Sequence, residues 1–119
     1  MTRTIYDTAT QNAQGYRDIY PSALRERPAG VRIIDVREAS EFTGELGHIP
    51  GAELLPLGTV PGVASSWARD AELLMVCRSG GRSARAAQQL AAMGFSRVMN
   101  LVGGMLAYNE AKLPTTRSA

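Results

Sequence analysis

The chain has 119 residues, a formal net charge of +2, one cysteine and one histidine; this is enough length for one hydrophobic core. A single cysteine excludes an internal disulfide and a dithiol redox mechanism, and with one histidine it falls short of the usual ligand set of a zinc site, so no metal or cofactor is expected. No window approaches the roughly 20 apolar residues of a membrane-spanning helix.

Residues 1–13 are rich in Thr, Ala, Gln and Asn and are expected to form a flexible N-terminal arm. They lack the apolar run of a secretory signal, so the cytoplasm is the expected location. One domain is expected over 14–114, with a frayed tail at 115–119. Residues 14–19 read as a short edge strand, and 21–27 have helical character, with Pro21 at a permitted first position. The β-branched run 31–36 reads as a buried strand. Residues 40–44 suit one helical turn with Ser40 as its N-cap. His48-Ile49-Pro50-Gly51 reads as a turn and 52–55 as a short strand. Pro61 and Gly62 suggest a loop entering a short helix over 63–69. Leu73-Leu74-Met75-Val76 is apolar on both faces, as in a central strand of a covered parallel sheet. Residues 83–93 form the clearest helix: Ala86, Ala87, Leu90, Ala91 and Met93 share one side, with Gly94 just past its end. Residues 97–101 read as a strand and 105–111 as a helix. This alternation predicts an α/β fold with a mostly parallel sheet and helices on both faces.

Charge is unevenly placed. Between Glu72 and Glu110 there is no acidic residue but four arginines, Arg78, Arg82, Arg85 and Arg97; the remainder carries nine basic and eleven acidic residues. The positive field is therefore expected around Cys77, which suits an anionic ligand. A basic stripe with interleaved aromatics is missing, so neither nucleic acid nor a membrane is expected as a partner.

Cys77 directly follows a strand and precedes a helix, the place where ligands sit in open α/β sheets. In Cys77-Arg78-Ser79-Gly80-Gly81-Arg82 the two glycines allow backbone N–H groups to turn inward. The helix start adds unpaired donors and a positive dipole end, and Arg78 and Arg82 add full charges. All three favour the thiolate, so a depressed Cys77 pKa is expected. Arg82 and Arg85 also oppose the dipole of the helix they open, at roughly 0.3–1 kcal/mol each; a bound anion would remove that conflict. The bland alternative is that Cys77 is a small core residue, as lone cysteines commonly are.

These residues resemble the rhodanese family over about 14–114. The resemblance is carried by Ile33-Ile34-Asp35-Val36-Arg37-Glu38, Glu41-Phe42, Gly47-His48-Ile49-Pro50-Gly51-Ala52, the loop from Cys77 to Ser83, Leu101-Val102-Gly103-Gly104, and Leu113-Pro114. It implies a sheet of about five parallel strands. It implies that Cys77 takes a sulfane sulfur as a persulfide and passes it on, with Arg78, Ser79, Gly80, Gly81, Arg82 and Ser83 binding the donor and the Arg82 side chain closing the cradle. Asp35 and Arg37 match a support pair beneath the loop, and His48 a structural signature. The implied donor is a small sulfur anion, thiosulfate or a glutathione-type persulfide; the acceptor is a thiol, cyanide or a protein. The segment from Phe42 to His48 resembles rhodanese domains associated with persulfide dioxygenases, which makes such an enzyme or a sulfur-carrier protein a candidate partner. Tyr108 stands where many relatives carry tryptophan.

Cysteine phosphatases resemble a Cys-x5-Arg pattern, whereas four residues separate Cys77 from Arg82. The shorter loop suits a smaller, sulfur-centred group, so phosphatase and arsenate reductase activities rank low. A protein-to-protein persulfide relay is the main alternative, with Met105, Leu106 and Tyr108 as candidates for an apolar docking patch. A sensor or scaffold without chemistry would not need Cys77.

Overall fold

The computed structural model describes residues 3–118. A one-turn helix α1 (Ile5–Thr8) leads to β1 (Thr10–Gln11) and β2 (Arg17–Ile19), then a 3-10 turn at Pro21–Leu24. β3 (Val31–Asp35), α2 (Ala39–Phe42), β4 (Glu53–Leu54), a 3-10 turn at Leu57–Thr59 and α3 (Val60–Ala64) follow. The chain continues through β5 (Glu72–Val76), α4 (Gly81–Ala92), β6 (Arg97–Leu101) and α5 (Gly104–Glu110). No helix among the described residues is long and apolar enough to cross a membrane.

The sheet runs β1-β2-β6-β5-β3-β4, and every pairing is parallel except β1 with β2. β5 lies at its centre because Leu73 to Val76 is inaccessible on both sides. Its residues alternate between two cores. Leu73 and Met75 join Val60 and Ala64 of α3 and Ala86, Ala87 and Leu90 of α4. Leu74 and Val76 join Leu24, Met99 and Leu101 with Met105 and Tyr108 of α5. Burying each such Leu, Val or Met stabilises by about 1.5–3 kcal/mol, which is what a two-sided apolar strand supplies.

The sheet has six strands where about five were expected, because Thr10–Gln11 adds an antiparallel edge. Both residues are exposed and polar, so no burial pattern announces them. β2 is thereby interior rather than an edge, between β1 and β6. The expected arm also holds α1, where the Thr4 N–H donates to the Asp7 carboxylate at 2.9 Å and Ile5 and Tyr6 pack on the core. The tail is tied as well: Thr116 exchanges backbone hydrogen bonds of 2.8 and 3.0 Å with His48. α2 takes Glu38 rather than Ser40 as its N-cap, because Glu41 reaches back to accept from the Glu38 N–H at 3.1 Å. α3 starts at Val60, with Pro61 in its first turn.

α4 ends as its sequence indicates. Gly94 takes φ +97°, its N–H donates to Ala91 O, and the Phe95 N–H donates to Leu90 O, both at 3.1 Å. This closes the last turn in a Schellman arrangement. β5 then feeds α4 on one face of the sheet while β6 feeds α5 on the other. The carboxyl ends of β5 and β6 therefore lie side by side where α4 and α5 diverge, with Cys77 just beyond the end of β5.

Candidate active site

Cys77 continues β5 by one residue and is only 1% exposed. Its Sγ accepts the Gly80 N–H at 3.1 Å and the Ser83 hydroxyl at 3.2 Å. The turn that aims the Gly80 N–H at sulfur needs φ +105° at that residue, a conformation L side chains rarely adopt. Gly81 differs: its φ is not positive, and a Cβ built on it meets nothing within 4 Å. Of the two glycines expected to shape the loop, only Gly80 is conformationally required.

The carbonyl side of the loop is held separately. Gly80 O accepts from the Ala84 N–H at 3.1 Å and from the Asn100 side-chain amide at 3.3 Å. Cys77 O accepts from the Met105 N–H at 2.9 Å and Arg78 O from the Leu106 N–H at 3.0 Å. That approach of α5 is possible because residue 104 is glycine: a Cβ there would lie 2.5 Å from Cys77 O.

Burial pushes the Cys77 thiol up, but hydrogen bonds from the Ser83 hydroxyl and from the backbone N–H groups of Ser83, Gly80 and Ser79 outweigh it. The thiol ends below its ordinary value. Ser83 is fully buried against the sulfur, so it solvates Sγ from within rather than facing a ligand. Its single proton goes to sulfur when the thiolate is present; its other acceptor is Gly80 O at 3.2 Å.

Arg82, expected to close the cradle, has a partner of its own. Its guanidinium forms a two-point ion pair with Glu41, at 2.7 and 2.8 Å. Arg82 holds the Glu41 carboxyl down to about 2, against the burial that opposes ionisation. The conflict between Arg82 and the dipole of α4 is therefore answered by a carboxylate of the chain itself, with no bound anion required. Arg78 and Ser79 are exposed, and Arg78 makes no salt bridge among the described residues. It shares a cleft of about 230 Å³ with Arg37, Ser40, Glu41, Gly44, Glu45 and Leu46. Arg85 is exposed on α4.

Asp35 and Arg37 form a buried pair, with side chains 0% and 1% exposed. Arg37 Nε and Nη2 donate to the two carboxylate oxygens at 2.9 and 2.8 Å, and Nη2 also donates to Gly47 O at 2.8 Å. The pair thus braces the cleft wall around residue 47, and none of its hydrogen bonds among the described residues goes to residues 78–82. His48 is buried and its Nδ1 lies 2.7 Å from Phe42 O. A carbonyl only accepts, so Nδ1 carries the proton. The imidazole stacks on the Phe42 ring at 3.5 Å and 8°, which locks the end of α2, and it makes no hydrogen bond to Cys77.

Residues 21–111 match the rhodanese-like domain family. The chain belongs to that family. The rhodanese-like domain is 35% identical over 100 residues to the "Putative sulfur carrier protein YrkF" of Bacillus subtilis, covering 82% of this chain and 53% of that protein. It therefore spans about half the length of that relative. It is 37% identical over 84 residues to a protein named "Sulfurtransferase" from Allochromatium vinosum, covering 71% of this chain and 77% of the other. Among solved structures it resembles a rhodanese-related protein from Thermoplasma volcanium, with a TM-score of 0.77, 26% identity, and coverage of 87% of this chain and all of the other.

Three residues of the rhodanese-like domain stand at the site without having been given a role there from sequence, although Glu41 and Gly104 lie in the motifs that carry the resemblance. Glu41 pairs with Arg82 across 41 residues, which no local pattern reveals. Asn100 is a buried amide set among Val98, Met99 and Leu101 in β6, and its Oδ1 has no hydrogen-bond partner among the described residues; that polar residue inside an apolar run was the available sign. Gly104 was visible as half of a Gly-Gly pair, but its contact with the Cys77 carbonyl was not. The suggested apolar patch shrinks: Met105 and Tyr108 are buried, and only Leu106, 38% exposed, faces out.

Proposed function

We propose that this rhodanese-like domain is a sulfurtransferase that carries a sulfane sulfur on Cys77. The observation that carries the reading is the sulfur itself. It lies at the end of a central strand, in a four-residue loop to Arg82, with Gly80 and Ser83 donating to it at 3.1 and 3.2 Å. Donors placed this way favour a thiolate, the nucleophile of thiol exchange.

With thiosulfate, the Cys77 thiolate attacks the outer sulfur. The new S–S bond forms as the old one breaks, sulfite leaves with the electron pair, and Cys77 is left as a persulfide anion. With a glutathione-type persulfide the leaving group is the glutathione thiolate, and the proton of the outer sulfur stays on the transferred sulfur. In the second half an acceptor thiolate or cyanide attacks the terminal sulfur and Cys77 departs as thiolate. No general base is needed in either half, which fits a His48 committed to Phe42 O. The backbone N–H groups at the start of α4 and the Arg78 charge offset the negative charge that gathers as two anions meet. Ser83 and Gly80 keep the Cys77 sulfur a good leaving group in the second half.

A protein-to-protein relay is the second reading. It is favoured by the kinship with a protein named as a sulfur carrier, and Leu106 beside Arg78 is the exposed apolar side chain available for contact. The test of both is intact mass of the chain after incubation with thiosulfate and with glutathione persulfide. Gain of one sulfur in the wild type and none in Cys77→Ser is the expected result. Sulfur loading that persists in Cys77→Ser sinks the proposal, while loading without turnover to cyanide or small thiols favours the relay.

A further inference from the structure

We infer that Glu41 is a specificity-determining residue of this site: by pairing with Arg82 it lowers the positive charge that a sulfur donor meets, and so shifts preference away from dianionic donors. The inference rests on the proposed sulfur transfer for its substrate readout only.

The sequence concentrates cations between residues 72 and 110, but folding brings an acidic segment to the same mouth. Around the cleft stand Arg37, Arg78 and Arg82 on one side of the balance and Asp35, Glu41 and Glu45 on the other. Arg37 is consumed by Asp35. Arg82 is consumed by Glu41. That leaves Arg78 as the cation of the loop open to a ligand, with Glu45 nearby on the cleft wall.

Glu41 is not a mobile surface acid that happens to reach an arginine. Its carboxylate also accepts from the Glu38 N–H at 3.1 Å, so α2 holds it in place. Its carboxyl, held at about 2 chiefly by Arg82, stays ionised throughout the physiological range. The same side chain lines the cleft. A donor that needs Arg82 must therefore displace a two-point ion pair, whereas a donor satisfied by the backbone N–H groups and Arg78 need not. Thiosulfate, with two charges, loses most from this arrangement; a persulfide carried on an organic body, with less charge at the reacting end, loses least.

The test uses alkylation of the one cysteine as a probe independent of sulfur transfer. Second-order rates are measured with iodoacetate, an anion, and iodoacetamide, which is neutral, in wild type, Glu41→Gln, Arg82→Gln and the double variant. Gln at residue 41 keeps the capping contact of α2. Removing the Glu41 charge from the Arg82 pair, which stands beside the Cys77 loop, predicts an iodoacetate-to-iodoacetamide ratio about three- to tenfold higher in Glu41→Gln at low salt, with the gain fading as salt rises. Arg82→Gln is expected to lower the ratio below wild type, and Glu41→Gln in that background to gain less than it does alone. With sulfur donors, Glu41→Gln is expected to raise kcat/KM for thiosulfate relative to glutathione persulfide, mainly through KM. A reagent ratio unchanged by Glu41→Gln, or an equal gain in both backgrounds, overturns the inference. A shifted ratio in a chain that never loads sulfur leaves the charge balance standing and removes the sulfurtransferase reading instead.

Discussion

Replacing Gly104 by alanine forces a methyl group into backbone. The new Cβ would sit 2.5 Å from Cys77 O and 2.6 Å from both Arg78 C and Arg78 O, none of which is a flexible side-chain end. The residue also holds φ +56°, where an L side chain costs about 1–2 kcal/mol. To relieve the clash α5 must withdraw, which breaks or stretches the Met105-to-Cys77 and Leu106-to-Arg78 hydrogen bonds, each worth about 1 kcal/mol. Together these predict a loss of about 3–4 kcal/mol. Urea unfolding read at equilibrium measures it, with Gly81→Ala as the control. Gly81 has open space around its Cβ position and an ordinary φ, so its change is expected to stay within about 1 kcal/mol. The pH profile of Cys77 alkylation should also move upward in Gly104→Ala, since the loop donors lose their fixed aim. A Gly104→Ala protein within about 1 kcal/mol of wild type, with an unmoved profile, would refute the idea that α5 sets the loop.

Ser83→Ala removes the hydroxyl that donates to Sγ at 3.2 Å while leaving burial in place. Burial raises the thiol and the lost donor had lowered it, so the alkylation profile must shift to higher pH; an identical profile would show that the Ser83 proton stays on Gly80 O. Asp35→Asn leaves the Arg37 guanidinium buried with its counter-charge gone, and an unfolding free energy lower by about 3–5 kcal/mol is expected. Asp35→Leu combined with Arg37→Met should recover much of that loss in the same urea titration, because a buried pair exchanged for apolar volume is often neutral.

The centre of the fold was legible because single properties decide it. Leu73 to Val76 has no polar side, Arg97–Leu101 reads as a strand, and Gly94 marks the end of α4 by a conformation few other residues take up. The periphery was not. Thr10–Gln11 pairs through backbone alone, and backbone pairing leaves no trace in a two-residue polar segment. Cys77 and the Gly80 donor of its loop could be read because strand, cysteine, glycine and helix start are close together in the chain. What lies across the sequence from them could not be read. Arg82 looked free because Glu41 is 41 residues away, and Gly47 does not identify itself in the sequence as a partner of Arg37.

The contact between α5 and the Cys77 loop gives each peptide unit there a direction. Cys77 and Arg78 turn their oxygens toward the N–H groups of Met105 and Leu106, and Gly80 turns its oxygen toward Ala84 and Asn100. With those oxygens occupied behind, the Gly80 N–H is left to point at the sulfur, 3.1 Å away. The loop is polarised when the chain folds, before any ligand arrives, so in the proposed transfer little dipole would have to rotate as sulfur is added to or taken from Cys77. Residues 104–106, which hold the carbonyl side of the loop, would therefore help set the rate of the sulfur transfer proposed for Cys77.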